Sequence, residues 1–357
     1  MYLLRSSLFL LLLSSTAPSD AAGPISAPPP GKLYHGFYWG GVGTDDHDPT
    51  EHDVSPADVA SYEDTIGGKT AWIYFSHNWF ESRQFPAATC QWIRDLGKIP
   101  YIRLMLRSDV DQKHAEKKFS LAKIVRGEFD SDLRAWAQAA RTYGSPILVE
   151  WGTEPNGDWF SWNGRWNGGA GDGPKRYVAA YRHIVDVIRS EGANNLHWVW
   201  HVNWLDQPER KWNALENYFP GMEYCAWVAL SAYGPTTPTT RDGTESFGYK
   251  LRRVYPRLTK VAPGKPMIVA EFGCDLHNPK LDAARWAEGA LQALFSGEWP
   301  AVIGFCWWNE GWQNDERKKH DSDLILLHDP AVTRVFREAF ARHADKLQTS
   351  AVIPPPP

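Results

Sequence analysis

Pro146-Ile147-Leu148-Val149-Glu150-Trp151-Gly152-Thr153-Glu154-Pro155-Asn156-Gly157-Asp158-Trp159-Phe160-Ser161-Trp162 is the stretch on which the fold turns. A short apolar, β-branched run stops at a glycine, and a carboxylate follows it into a Pro-Asn-Gly turn crowded with aromatic residues. That is how a strand buried on both faces reads where it opens into a loop. The same pattern recurs on either side. Candidate strands lie at 33–38, 71–75, 99–104, 147–150, 196–201, 226–232, 267–270 and 302–307. Helical spacing falls between them at 130–142, 176–190 and 282–295, while the 206–224 connection holds only a poor helix broken by Pro208 and Pro220. Eight strands alternating with helices over residues 32–347 predict an α/β chain folded as a single (β/α)8 TIM barrel. The rival is an open doubly wound sheet, which wants a phosphate-binding glycine loop after its first strand. Trp39-Gly40-Gly41-Val42-Gly43-Thr44 has neither the GxGxxG spacing nor the lysine of a P-loop.

Barrel chemistry is built at the carboxyl ends of the strands. Strand four leads to Glu154, and strand seven, Met267-Ile268-Val269-Ala270, leads to Glu271. These strands stand on opposite sides of an eight-membered ring, so the two carboxylates face each other across its mouth. Retaining glycoside hydrolysis needs such a pair, one to protonate the leaving oxygen and one to attack the anomeric carbon. Their pKa values must differ, and nearby indoles help by desolvating the acid. Taken singly, Glu154 reads as a solvated loop acid and Glu271 as a rim residue paired with an arginine; together they point to catalysis. Glu310, three residues past the strand-eight run, is the competing nucleophile.

The segment from Glu154 to Trp162 resembles the signature of glycoside hydrolase family 26, within the clan of retaining (β/α)8 glycosidases. The resemblance implies Glu154 as acid/base and Glu271 as nucleophile, with Asn156, Gly157, Trp159 and Trp162 matching the rest of the signature. It further implies that Tyr233, ending strand six, hydrogen-bonds the nucleophile, and that Trp307 or Trp308 at the end of strand eight forms a sugar platform. Strand alternation lets only one of those two face the cavity. One position departs from the pattern: Thr153 stands where members usually carry His and the wider clan Asn. The implied activity is endo-hydrolysis of β-1,4-mannan. A β-1,3-1,4-glucanase, a β-xylanase and a non-catalytic carbohydrate-binding barrel are the alternatives. No cofactor and no metal are implied, since both steps use only carboxylates and water.

Polar side chains at other strand ends complete the candidate site. Asn156, Trp159, Trp162, His201, Asn203, Tyr233, Trp307 and Trp308 are expected to touch substrate, while Arg103 and Arg107 flank the top of strand three as structural or substrate-binding groups. The 19 Trp, 15 Phe and 14 Tyr exceed what packing asks for and fit a surface that stacks flat rings, although Trp136 and Trp286 fall on apolar helix faces. A net charge of −4 offers no basic footprint for nucleic acid, so the expected partner is a polysaccharide or oligosaccharide, with the chain a monomer. Residues 1–21 read as a secretory signal peptide, predicting a secreted (extracellular or periplasmic) protein with no membrane segment once mature; a retained anchor is the other reading. Residues 22–31 and 348–357 read as Pro-rich spacer and tail. Cys90, Cys225, Cys274 and Cys306 allow bridges or buried thiols equally. The acidic and histidine-rich stretch 44–53 reads as a solvated loop.

Overall fold

The computed structural model describes residues 25–41, 54–110, 113–239 and 243–351. The expected leader, the 44–53 stretch and the terminal prolines lie outside them. Eight parallel strands form the wall: β1 (Leu33–Gly41), β2 (Trp72–Asn78), β3 (Ile99–Met105), β4 (Ile147–Trp151), β5 (Leu196–Asn203), β6 (Trp227–Ser231), β7 (Met267–Phe272) and β8 (Val302–Trp312). Each pairs with the next in chain order, and β1 also pairs with β8, which closes the ring. The chain is the (β/α)8 barrel that its alternation predicts.

Eight helices surround it: α1 (Pro56–Ile66), α2 (Ala87–Asp95), α3 (Leu121–Val125), α4 (Asp130–Tyr143), α5 (Gly169–Ser190), α6 (Phe247–Val261), α7 (Ala283–Phe295) and α8 (Pro330–Arg342). Their limits follow from local chemistry. Ser55 and Asp58 make a reciprocal capping box ahead of α1, and Asp329 caps α8 just before Pro330. Between β5 and β6 the prolines leave only two short 3₁₀ turns, Lys211–Asn213 and Leu215–Tyr218.

Alternation along the strands separates two apolar layers. One set of side chains meets the helices. The other fills the ring, where Tyr34, Trp72, Tyr74, Tyr101 and Trp227 are prominent. Space for so much aromatic volume comes from glycine: a Cβ on Gly36 would lie 1.9 Å from the Trp72 ring, and one on Gly304 2.5 Å from it. Part of the expected N-terminal spacer belongs to this core. Ile25 is buried with the ring-filling set, and its N–H donates to Nε2 of His197 at 3.2 Å. Most tryptophans, Trp151 and Trp162 included, are buried, so the indole excess serves packing more than a sugar surface. All four cysteines are buried free thiols.

Candidate active site

Beyond β4 the backbone turns sharply. Gly152 has φ +65° and Glu154 itself φ +47°, a left-handed conformation that is strained for a side chain with a Cβ. The surroundings hold it there. The Glu154 N–H donates to the His201 carbonyl at 2.9 Å, and the Gly157 N–H donates to the Glu154 carbonyl at 2.9 Å. Asn156 staples this loop to the end of β5: its Oδ1 accepts from the Asn203 N–H, and its Nδ2 donates to the Asn203 carbonyl and Asp206 Oδ1, all within 3.0 Å. The Trp159 indole N–H donates to Glu154 Oε2 at 2.6 Å. Its ring lies on Gly157, where a Cβ would come within 2.2 Å of it. Trp162 is buried and donates to the Thr153 carbonyl at 2.7 Å. The signature thus mostly holds Glu154. Asn156 and Trp162, expected to touch sugar, are instead engaged in shaping the loop, whereas Trp159 is half-buried beside the acid.

Glu271 reaches the mouth through an irregularity. Ala270 belongs to the ring-filling layer, so strict alternation would turn Glu271 outward. The register of β7 slips against both neighbours, between Leu230 and Ser231 on β6 and between Val269 and Phe272 on β7 itself. The bulge re-aims the carboxylate inward. Tyr233 donates to Glu271 Oε2 at 2.8 Å, as the family resemblance implied, and Tyr74 lies 3.2 Å from Oε1. An Arg103 guanidinium nitrogen is 3.9 Å from Oε1. Burial pushes the Glu271 carboxyl up to about 7; Arg103 and His201 pull it down, while the charges of Glu154 and Glu150 add to the rise. Glu154 and Glu271 are 6 % and 3 % exposed, so both work in an enclosed mouth.

Below Glu271 lies a carboxylate that inspection of the strand ends passes over. Glu150 is wholly buried and accepts from Tyr74 at 2.6 Å, Tyr101 at 2.5 Å and His201 Nδ1 at 3.1 Å. Parity was the available sign, since Leu148 fills the ring and Glu150 sits two residues on. His201, expected to meet sugar hydroxyls, is buried with both nitrogens engaged, Nδ1 with Glu150 and Thr153 and Nε2 with Ser231. Asn203 is buried too, its amide spent on the Trp204 N–H and the Leu205 carbonyl. Ligand atoms of Glu150, His201 and Glu271 fall within 4.8 Å of one another. Glu150 and His201 hydrogen-bond each other, and the Tyr74 hydroxyl lies between Glu150 and Glu271, which accounts for the cluster as a charge network rather than a ligand set.

Strand eight resolves its own ambiguity. Trp307 faces the helices, donating to the Leu324 carbonyl at 2.7 Å and meeting Phe272, Trp286 and Phe336 edge-on, so it is no sugar platform. Trp308 is the inward residue. It stacks on Tyr38 with ring centroids 3.5 Å apart, and the Arg103 guanidinium lies 5.2 Å from its ring centroid. Arg107 donates to Asn78 at 2.9 Å. Glu310 folds over Gly40 of β1.

The family model of glycosyl hydrolase family 26 matches residues 112–268, a span that includes Glu154 and stops short of Glu271. The endoglucanase H of Acetivibrio thermocellus is 29 % identical over 217 residues, covering 60 % of this chain and 23 % of that protein. The mannan endo-1,4-beta-mannosidase A and B of Caldalkalibacillus mannanilyticus is 26 % identical over 161 residues, covering 44 % of this chain and 27 % of that one. The chain therefore spans about a quarter of the length of these curated relatives. Among solved structures, a Bacillus subtilis mannanase shares the fold with a TM-score of 0.59 at 18 % identity, over 92 % of each chain. Over residues 112–268, with strand β4 and Glu154 among them, the chain is similar to glycosyl hydrolase family 26.

Proposed function

We propose that the chain hydrolyses internal β-1,4 bonds of a mannan with retention of anomeric configuration. The observation that carries this reading is the pair of buried carboxylates at the ends of β4 and β7, on opposite sides of a closed ring, with Tyr233 donating to Glu271 and Trp159 to Glu154. Glu154 gives its proton to the departing glycosidic oxygen while Glu271 attacks the anomeric carbon and forms a glycosyl ester. Glu154, now a carboxylate, then takes a proton from the water that cleaves the ester, and both groups return to their starting forms. The Tyr233 hydroxyl steadies the attacking carboxylate, and the Trp159 indole fixes the acid.

A second reading, a β-glucan as substrate, is favoured by Thr153 in the place of the usual histidine and by the endoglucanase among the relatives. Residues 1–21 support export, and no described helix is long and apolar enough to cross a membrane. Reducing-sugar release from mannan, lichenan and xylan separates these readings, with Glu154→Ala as control. Release from mannan alone supports the first reading and from lichenan alone the second. Tight binding without release by the wild type sinks the enzymatic reading in favour of a binding barrel.

A further inference from the structure

The hydrolytic scheme uses neither Glu150 nor His201, yet both are fully buried and in contact. A buried carboxylate is tolerated only where donors and an opposite charge compensate it. Three groups surround Glu150, namely the Tyr74 and Tyr101 hydroxyls and His201 Nδ1, and each is a donor toward it. That arrangement suits the ionised carboxylate. Among the described residues, no lysine or arginine ion-pairs with it, so His201 is the group that can balance it.

We propose that Glu150 is a positioning residue that holds His201 as an imidazolium, so that a fixed positive charge lies beneath the attacking Glu271. The inference rests on the reading of Glu271 as nucleophile. Facing Glu271 are Tyr74 from β2, Tyr101 and Arg103 from β3, Glu150 and Glu154 from β4 and its loop, His201 from β5, Tyr233 after β6 and the Cys306 thiol from β8. Of these only Arg103 and His201 are able to carry positive charge. Burial works most strongly against a charged His201, and the charge and hydrogen bond of Glu150, with the charges of Glu271 and Glu154 behind them, together outweigh it, so the imidazole titrates above its ordinary range. Burial likewise opposes the charge of Glu150, and His201 with the two phenols overcomes it. His201 acts on Glu271 more strongly than Glu150 does. Removing the charge of the pair therefore leaves the nucleophile harder to ionise.

Histidine-selective ¹⁵N labelling reads the charge directly, with the His201 resonance assigned by its loss in His201→Gln. The wild type should show an imidazolium still present at pH 8, and a neutral ring there overturns the proposal. In Glu150→Gln, whose amide keeps the shape and one acceptor oxygen for the two phenols, the ring should be neutral at pH 8. The acidic limb of kcat/KM should then move up by about one pH unit, a tenfold loss on its low-pH side. A purely structural role lowers activity without moving the limb. An imidazolium that survives in Glu150→Gln, or an unmoved limb, also overturns the proposal. Where Glu150→Gln does not fold, the wild-type titration still decides, since a ring neutral at pH 8 refutes it. The resonance requires no turnover, so a chain inactive on every glycan would sink the glycosidase reading separately.

Discussion

Glu154 is held by groups of two kinds, backbone ties that fix its strained φ and one side-chain donor, Trp159, that fixes its carboxylate. Trp159→Phe removes the N–H together with the outer part of the indole that lies on Gly157, while the backbone ties to Glu154 stay, so kcat should fall about tenfold with the fold retained; steady-state kinetics beside a thermal melt would show it. An unchanged kcat would mean that the indole does not aim the acid. At this scale the sequence was legible for chemistry and less so for roles. Glu154, Glu271 and Tyr233 lie where strand ends placed them. Asn156, Trp162, His201 and Asn203 were read as sugar contacts, because a motif shows which residues cluster around an acid and not which of them touch its substrate. Glu150 was missed since a carboxylate inside a strand run looks like a sequence blemish until inward parity is applied to it.

Among elements, the apolar β-branched runs made all eight strands visible, and alternation rightly allowed one inward residue of the Trp307–Trp308 pair. The bulge in β7 was not legible. Nothing in Met267-Ile268-Val269-Ala270-Glu271 announces that the register slips, and strict alternation would have turned Glu271 away from the mouth. Glycine placement was equally silent, because the need for it arises from a partner far away in sequence. Gly36 and Gly304 exist for Trp72. Gly36→Ala sets a methyl group 1.9 Å from that ring and should destabilise the chain by about 1–3 kcal/mol in urea unfolding. A variant as stable as the wild type would show that the interior yields more than its packing implies.

For the whole molecule, the buried carboxyl of Glu271 costs stability. Glu271 titrates at about 7 in the folded chain, above the 4.5 of an ordinary glutamate. A carboxyl whose pKa is raised by folding contributes stability that is fully present below its unfolded pKa and lost as pH climbs through the folded one. The loss therefore falls between about pH 4.5 and about pH 7. Glu271→Gln stays neutral throughout, so its melting temperature relative to wild type should rise across that window and level off above it, by about 3 °C or more. Calorimetric scans of both proteins from pH 4 to pH 8 would test this, and a difference independent of pH would count against a raised Glu271. The ring depends on its plug as well as its wall, since Ile25 lies in the interior that a Pro-rich spacer was expected to stop short of. That contact joins segments remote in sequence and leaves no local pattern to read.

The central claim is that Glu271 attacks and Glu154 supplies the proton. Its most direct test is covalent trapping with 2-deoxy-2-fluoro-β-mannosyl and β-glucosyl fluorides, which form the glycosyl ester and slow its hydrolysis, followed by peptide mass spectrometry. A single fluoroglycosyl adduct is expected on the peptide that carries Glu271, absent in Glu271→Gln. An adduct on Glu154 or Glu310, or an active enzyme that forms no adduct with either reagent, would contradict it.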